Sequence, residues 1–149
     1  MNFSKDVCTY FATNRLARYT EKIANRIYLP TGMAPVYSYI LMTINENDDE
    51  SVTLTDLSEL LSYSVSTMSR FVSTLEAKGL VEKRHSGRKV SIALTSSSDD
   101  MLKMAYECYD TLFQKVDEMI GGAEERKELI ELTTRIADLI ELSDPTVMQ

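Results

Sequence analysis

The sequence offers little to metal or redox chemistry. Its 149 residues hold two cysteines, Cys8 and Cys108, and a single histidine, His85. That is too few, too widely spaced, for a disulfide framework or a CxxC metal knuckle, which excludes structural zinc and leaves no cofactor expected. No run of about 18 apolar residues is present to span a membrane. The first residues, Met1-Asn2-Phe3-Ser4-Lys5-Asp6, lack the basic segment and apolar stretch of a secretion signal, so a cytoplasmic location is expected. There are no paired carboxylates, no Ser-His-Asp order and no phosphate loop, and the chain does not read as an enzyme.

The apolar share of 44% and the charged share of 26% are those of an ordinary soluble globular protein. The length suffices for one good core, as a single domain or a small domain with helical extensions. The net charge of −7 weighs against a nucleic-acid partner, but its distribution weighs the other way. From Val52 to Thr95 six bases face four acids; from Ser96 to Gln149 five bases face thirteen acids. The middle of the chain is a mildly basic island whose last four bases, Lys83, Arg84, Arg88 and Lys89, fall within seven residues.

Apolar spacings of three and four predict one long helix from Phe3 to about Tyr28, through Val7, Tyr10, Phe11, Tyr19, Ile23 and Ile27. Pro30, Gly32 and Pro35 interrupt it, and Pro35 suits the first turn of a second helix that carries Tyr37, Ile40, Leu41 and Ile44 inward. An acidic solvated loop, Asn45 to Glu50, precedes a short extended stretch at Val52-Thr53-Leu54. Thr55 is placed to cap a brief helix through Leu61, with Leu57, Leu60 and Leu61 inward. Ser64 is an N-cap for a helix over 65–78, striped by Met68, Phe71, Val72 and Leu75 and stopped by Gly79. The β-prone runs 80–84 and 90–94 flank a glycine-containing connector, 85–89, which predicts a hairpin with a basic tip. Helical periodicity then returns, with Met101, Met104, Ala105, Cys108, Leu112, Met119 and Ile120 on one side up to Gly121-Gly122. A last helix runs from about Ala123 to Leu142, striped by Leu129, Leu132, Ile136 and Leu139.

Two short helices joined by a tight turn and followed by a basic hairpin have the order of a winged helix-turn-helix, whose second helix enters the major groove. At about 100° per residue, Ser66, Arg70 and Ser73 lie opposite the apolar stripe, flanked by Thr67 and Ser69. Small hydroxyls approach base edges and phosphates closely, and arginine can take guanine O6 and N7 bidentately. A helix N-terminus, here capped by Ser64, favours a phosphate. Exposed Ser/Thr faces also occur on ordinary helices; the hairpin and the helix order favour the DNA reading.

The segments Leu54-Thr55-Asp56-Leu57-Ser58-Glu59-Leu60-Leu61, Ser66-Thr67-Met68-Ser69-Arg70 and Leu75-Glu76-Ala77-Lys78-Gly79-Leu80-Val81 together resemble the core of the MarR family of transcription regulators. The returning strand, Arg88 to Leu94 with Thr95, is similar to the family's as well. The resemblance implies a mainly α fold with a small β-hairpin wing, a winged helix-turn-helix flanked by long dimerisation helices. Residues 33–95 would be the DNA-binding domain, and 1–30 with 97–149 the helical dimerisation region. It implies an effector-responsive repressor acting as a homodimer on a pseudo-palindromic operator in double-stranded DNA. Its contacts would come from Ser64, Ser66, Thr67, Ser69, Arg70, Ser73, Arg84, Arg88 and Lys89, with Arg88 at the minor groove. In the wing this sequence departs from the family: position 86 is Ser where an aspartate usually stands before the tip arginine, and the loop is slightly short.

Three further features carry a sharp reading and a bland one. Cys8 lies near the helix start where a peroxide-sensing branch of the family keeps its redox switch, about two residues upstream of the matching position; otherwise it is a structural thiol. Tyr19, Tyr37 and Tyr39 could line a pocket for a small aromatic or phenolic effector, or pack in the core and dimer. The acids after Thr95 and Gly122 suit helix first turns better than a metal cluster. The alternative function is a winged protein-interaction module that no longer binds DNA, which the overall negative charge would permit.

Overall fold

The computed structural model describes residues 4–49 and 51–149. Phe3, at the expected start of the first helix, and Glu50, at the end of the acidic loop, lie outside the described residues. A short 3₁₀ turn at Lys5–Val7 comes first, and extended backbone at Cys8 separates it from α1, Thr9–Ile27. The expected single helix is therefore broken near its start. Ser4 caps the small turn by accepting from the Asp6 N–H, and so competes locally with helix continuation.

Helix α2, Pro35–Asn45, begins on its proline as expected and buries Ile40, Leu41 and Ile44. Strand β1 is only Ser51–Val52, and α3, Leu54–Leu60, follows at once. Its cap is Thr53 rather than Thr55: the Thr53 hydroxyl accepts from the Asp56 N–H at 3.1 Å and donates to the Asp56 carboxylate at 2.7 Å. The strand ends at Val52, so the chain turns two residues earlier than the pattern suggested. That rotates the helix: Leu57 and Ser58 are buried, Leu61 is half-buried, and Leu60, expected inward, faces solvent.

The turn into α4, Val65–Ala77, passes through Ser62 at φ 56°, the left-handed region that non-glycine residues seldom occupy. Ser64 then caps α4 by accepting from the Thr67 N–H. The helix ends in a Schellman arrangement: Gly79 at φ 73° bonds to the Glu76 carbonyl and Leu80 to the Leu75 carbonyl, which returns Leu80 to the core.

Strands β2, Val81–Ser86, and β3, Lys89–Leu94, pair antiparallel from Val81↔Leu94 to Ser86↔Lys89. Only Gly87 and Arg88 remain for the turn, two residues rather than the expected five, with Gly87 at the positive φ that tight hairpins need. β1 joins the free edge of β3, so β3 is the central strand of three. The core sits where α2, α3 and α4 meet the sheet, around Leu41, Ile44, Leu57, Met68, Leu75 and Ile92.

From β3 the chain passes through Thr95 and a 3₁₀ turn at Ser96–Ser98 directly into α5, Asp99–Ile120. The junction is pinned twice. The Thr95 hydroxyl donates to the Gly79 carbonyl at 2.6 Å, and buried Ser98 donates to the Thr95 carbonyl at 2.7 Å. Near the other end of α2, Asn45 donates to the Tyr106 hydroxyl, which donates to the Glu46 carboxylate, tying α5 to the winged part. Gly121 and Gly122, both at positive φ, turn the chain into α6, Ala123–Ser143. On α5, Ala105 and Cys108 are buried as expected, but Met119 and Ile120 are exposed, because the helix has run past the elements that could cover them. Among the described residues no helix is long and apolar enough to cross a membrane.

Candidate nucleic-acid interface

Helix α4 turns Met68, Val72 and Leu75 into the core, which leaves Ser66, Ser69, Arg70 and Ser73 on the opposite, exposed side. At its N-terminus the hydroxyls form a chain. Ser64 Oγ lies 3.2 Å from Ser66 Oγ and donates to Thr67 Oγ1 at 3.0 Å, and the Arg70 guanidinium donates to the same Thr67 oxygen at 3.4 Å. The arginine is thus held against the first turn of its own helix, beside the unpaired N–H groups of the helix start. This link between Thr67 and Arg70 was not legible as spacing alone, although positions three apart on a helix are neighbours.

In the wing, Arg84, Arg88 and Lys89 are all exposed. Arg84 pairs with Glu82 at 3.1 Å, and Lys83 reaches back to Glu76 at the end of α4 at 3.4 Å. Both pairs are solvent-exposed and therefore weak and open to exchange. Arg70, Arg88 and Lys89 have no ion-pair partner among the described residues. An acidic chain thus presents exposed bases without an ion-pair partner both at the hairpin tip and on α4.

The three tyrosines considered together in the sequence are not brought together. Tyr37 packs edge-on against Phe71, ring centroids 5.5 Å apart, under the helix-turn-helix. Tyr19 is exposed on α1 with the Arg15 guanidinium over its ring, and that cation lowers its pKa. Of the three, Tyr39 alone borders a cleft of about 720 Å³, which opens between α1, the start of α2, the α3–α4 turn and α5. Burial raises its phenol pKa. Behind it lies Tyr28, fully buried, its phenol raised by burial and then by Tyr39. Glu21 and Asn25 from α1 and Tyr63 from the turn also border this cleft. Helical periodicity groups Glu21 with Ala17 and Asn25 on one face of α1, but nothing in the sequence says which face meets a cleft.

Cys8 is half-buried at the break before α1. Cys108 is buried and donates to the Ile27 carbonyl, and burial raises its thiol pKa. Among the described residues no group of His, Cys, Asp and Glu is arranged to hold a metal ion.

A helix-turn-helix whose second helix is followed by a β-hairpin, set between long helices, defines a winged helix-turn-helix protein with helical arms. Residues 31–89 match the sequence model of the MarR family. The match runs from just before α2 to the start of β3 and so covers the helix-turn-helix and the first strand of the wing. Solved structures of this kind share the fold across most of the chain. *Mycobacterium tuberculosis* MosR bound to DNA is 19% identical over 89% of this chain and 98% of its own, TM-score 0.74. *Bordetella bronchiseptica* BpsR, whose DNA binding is regulated by 6-hydroxynicotinic acid, is 15% identical over 93% and 99%, TM-score 0.79. The *Streptomyces coelicolor* MarR family regulator AbsC is 15% identical over 95% and 97%, TM-score 0.79. At these identities the likeness establishes the fold. No curated protein sequence matches the chain.

Proposed function

We propose that the chain is a DNA-binding transcription regulator that works as a homodimer, an effector-responsive repressor on a pseudo-palindromic operator. The observation that carries this reading is a helix-turn-helix whose second helix exposes hydroxyls and Arg70, followed by a hairpin whose tip bases are exposed and unpaired among the described residues. Arg70 serves base edges in the major groove, and Arg88 at the hairpin tip serves the minor groove, where attraction follows groove width and potential. Dimerisation is supported by the arms: neither α1 nor α6 buries a single residue, yet both carry apolar stripes. Two copies related by a two-fold axis would present their α4 helices to half-sites about one helical turn apart.

The effector reading rests on the cleft, which touches both an arm helix and the α3–α4 turn. A small aromatic ligand that binds the DNA-incompetent arrangement of those elements more tightly must weaken DNA binding by the same factor by which DNA weakens its own binding.

Operator titrations at several salt concentrations test the DNA assignment. Arg70→Ala should cost about 1–3 kcal/mol on the specific site and relax preference at one base position per half-site. Arg88→Ala should weaken binding to many sequences alike and lower the salt slope by about one. If both variants bind the operator as tightly as the parent, this face and this wing are not the interface.

A further inference from the structure

The cleft beside Tyr39 has an unusual charge balance for a site read as an effector pocket. Its floor is apolar, with Ala24, Pro35, Leu61 and Leu112 among the bordering residues. Its polar lining from α1 is Thr20, Glu21 and, one turn further along, Asn25, and the aromatic residues that border it are Tyr39 and Tyr63. No lysine, arginine or histidine borders it. The bases of α1, Arg15, Arg18, Lys22 and Arg26, project about 90° or more away from the centre of the lining face. Within one copy, Glu21 has no ion-pair partner among the described residues.

We propose that this cleft takes an organic cation with an aromatic body, with Glu21 as its counter-charge and the tyrosine rings as its flanking faces. The proposal rests on the reading of the cleft as an effector site and fixes the charge of the ligand.

An aromatic acid would fit poorly. Its carboxylate would lie near Glu21 with no cation to compensate it, and like charges in a partly desolvated site oppose each other strongly. The Tyr39 phenol, neutral at its ordinary pKa and raised further by burial, adds no second negative charge to the cleft. A delocalised cation loses little hydration on entry, gains the carboxylate, and finds the negative faces of aromatic rings. The relative regulated by 6-hydroxynicotinic acid shares the fold; the charge of this chain's cleft separates the two by ligand class. A cation seated between α1 and the α3–α4 turn would also tie the arm to the element that sets the position of α4.

The test uses the intact protein and three probes of similar aromatic character: tetraphenylphosphonium, uncharged triphenylphosphine oxide, and triphenylacetate. Calorimetric titration should show the cation binding at least tenfold tighter than the oxide, with the acid weaker than both. In Glu21→Gln, an exposed and conservative change, the gap between cation and oxide should close. Glu21→Lys should abolish cation binding and admit the acid. Equal affinity for cation and oxide in the parent, preference for the acid, absence of binding by the cation, or a cation preference that survives Glu21→Gln would each overturn the proposal. Operator affinity is measured separately. Glu21-dependent cation binding that leaves DNA affinity unchanged would retain the ligand class and remove the effector reading.

Discussion

The winged part and the helical arms of this molecule obey opposite rules. In the winged part, α2, α3, α4 and three short strands close on a common centre, and the apolar stripes predicted from spacing are buried or half-buried except at Leu60. In the arms, equally regular stripes end up in solvent: Ile136 remains 39% exposed and Leu139 53%. Periodicity is a statement about which side of a helix is apolar, and says nothing about whether the covering surface belongs to the same chain. A domain of this size buries one side of each element by itself; arms that cannot do so point to a second copy.

The largest expected effect lies on the closed side of that comparison. Leu75→Ala empties a fully buried position between α4 and the sheet and should cost about 2–5 kcal/mol. Thermal or urea unfolding measures it; a cost below about 1 kcal/mol would mean that the winged part is not the stability centre.

On the open side, Ile136→Asp combined with Leu139→Asp should weaken self-association at least a hundredfold, about 2.7 kcal/mol, while the winged part keeps its secondary structure. Sedimentation at micromolar concentration reads this directly, and a dimer that persists would break the contrast between the two regions.

A smaller effect is expected at the start of α4. Ser64→Ala removes the cap that accepts the Thr67 N–H and should cost about 1 kcal/mol of stability. It also releases the hydroxyl chain leading to Arg70, so operator affinity should fall along with stability. Unchanged DNA binding in this variant would show that the chain of hydroxyls does not orient the arginine.

The two thiols give the mildest probe. Cys8 should react with a thiol reagent in the folded protein, whereas Cys108, buried and with its pKa raised, should react only on unfolding. Labelling followed by mass spectrometry distinguishes them, and rapid reaction at Cys108 would mean that the α1–α5 contact opens readily.

The order of elements was legible because each is announced by short-range chemistry: Pro35 opens a helix, Ser64 caps one, Gly79 stops one and Gly87 turns a hairpin. The errors came where two local signals competed. Thr53 and Thr55 are both acceptable caps, and the choice was made by where β1 pairs with β3. The exposed face of α4 was legible for the same reason as its buried one. The cleft was not, because its border draws on α1, α2, the helix-turn-helix turn and α5, and tyrosines close in sequence, such as Tyr37 and Tyr39, point to different neighbours.

The wing and α5 are a single piece of chain, with β3 running through Thr95 and buried Ser98 into the helix. That makes the hairpin a pointer mounted on the arm. A six-residue strand reaches about 20 Å, so a tilt of about 10° in α5 carries the tip about 3.5 Å, enough to break any hydrogen bond it makes. α4 is held to the same junction by the hydrogen bond from Thr95 to the Gly79 carbonyl. On the docking proposed above, a small change in the angle between the arms would therefore register as a loss of reach at the minor groove.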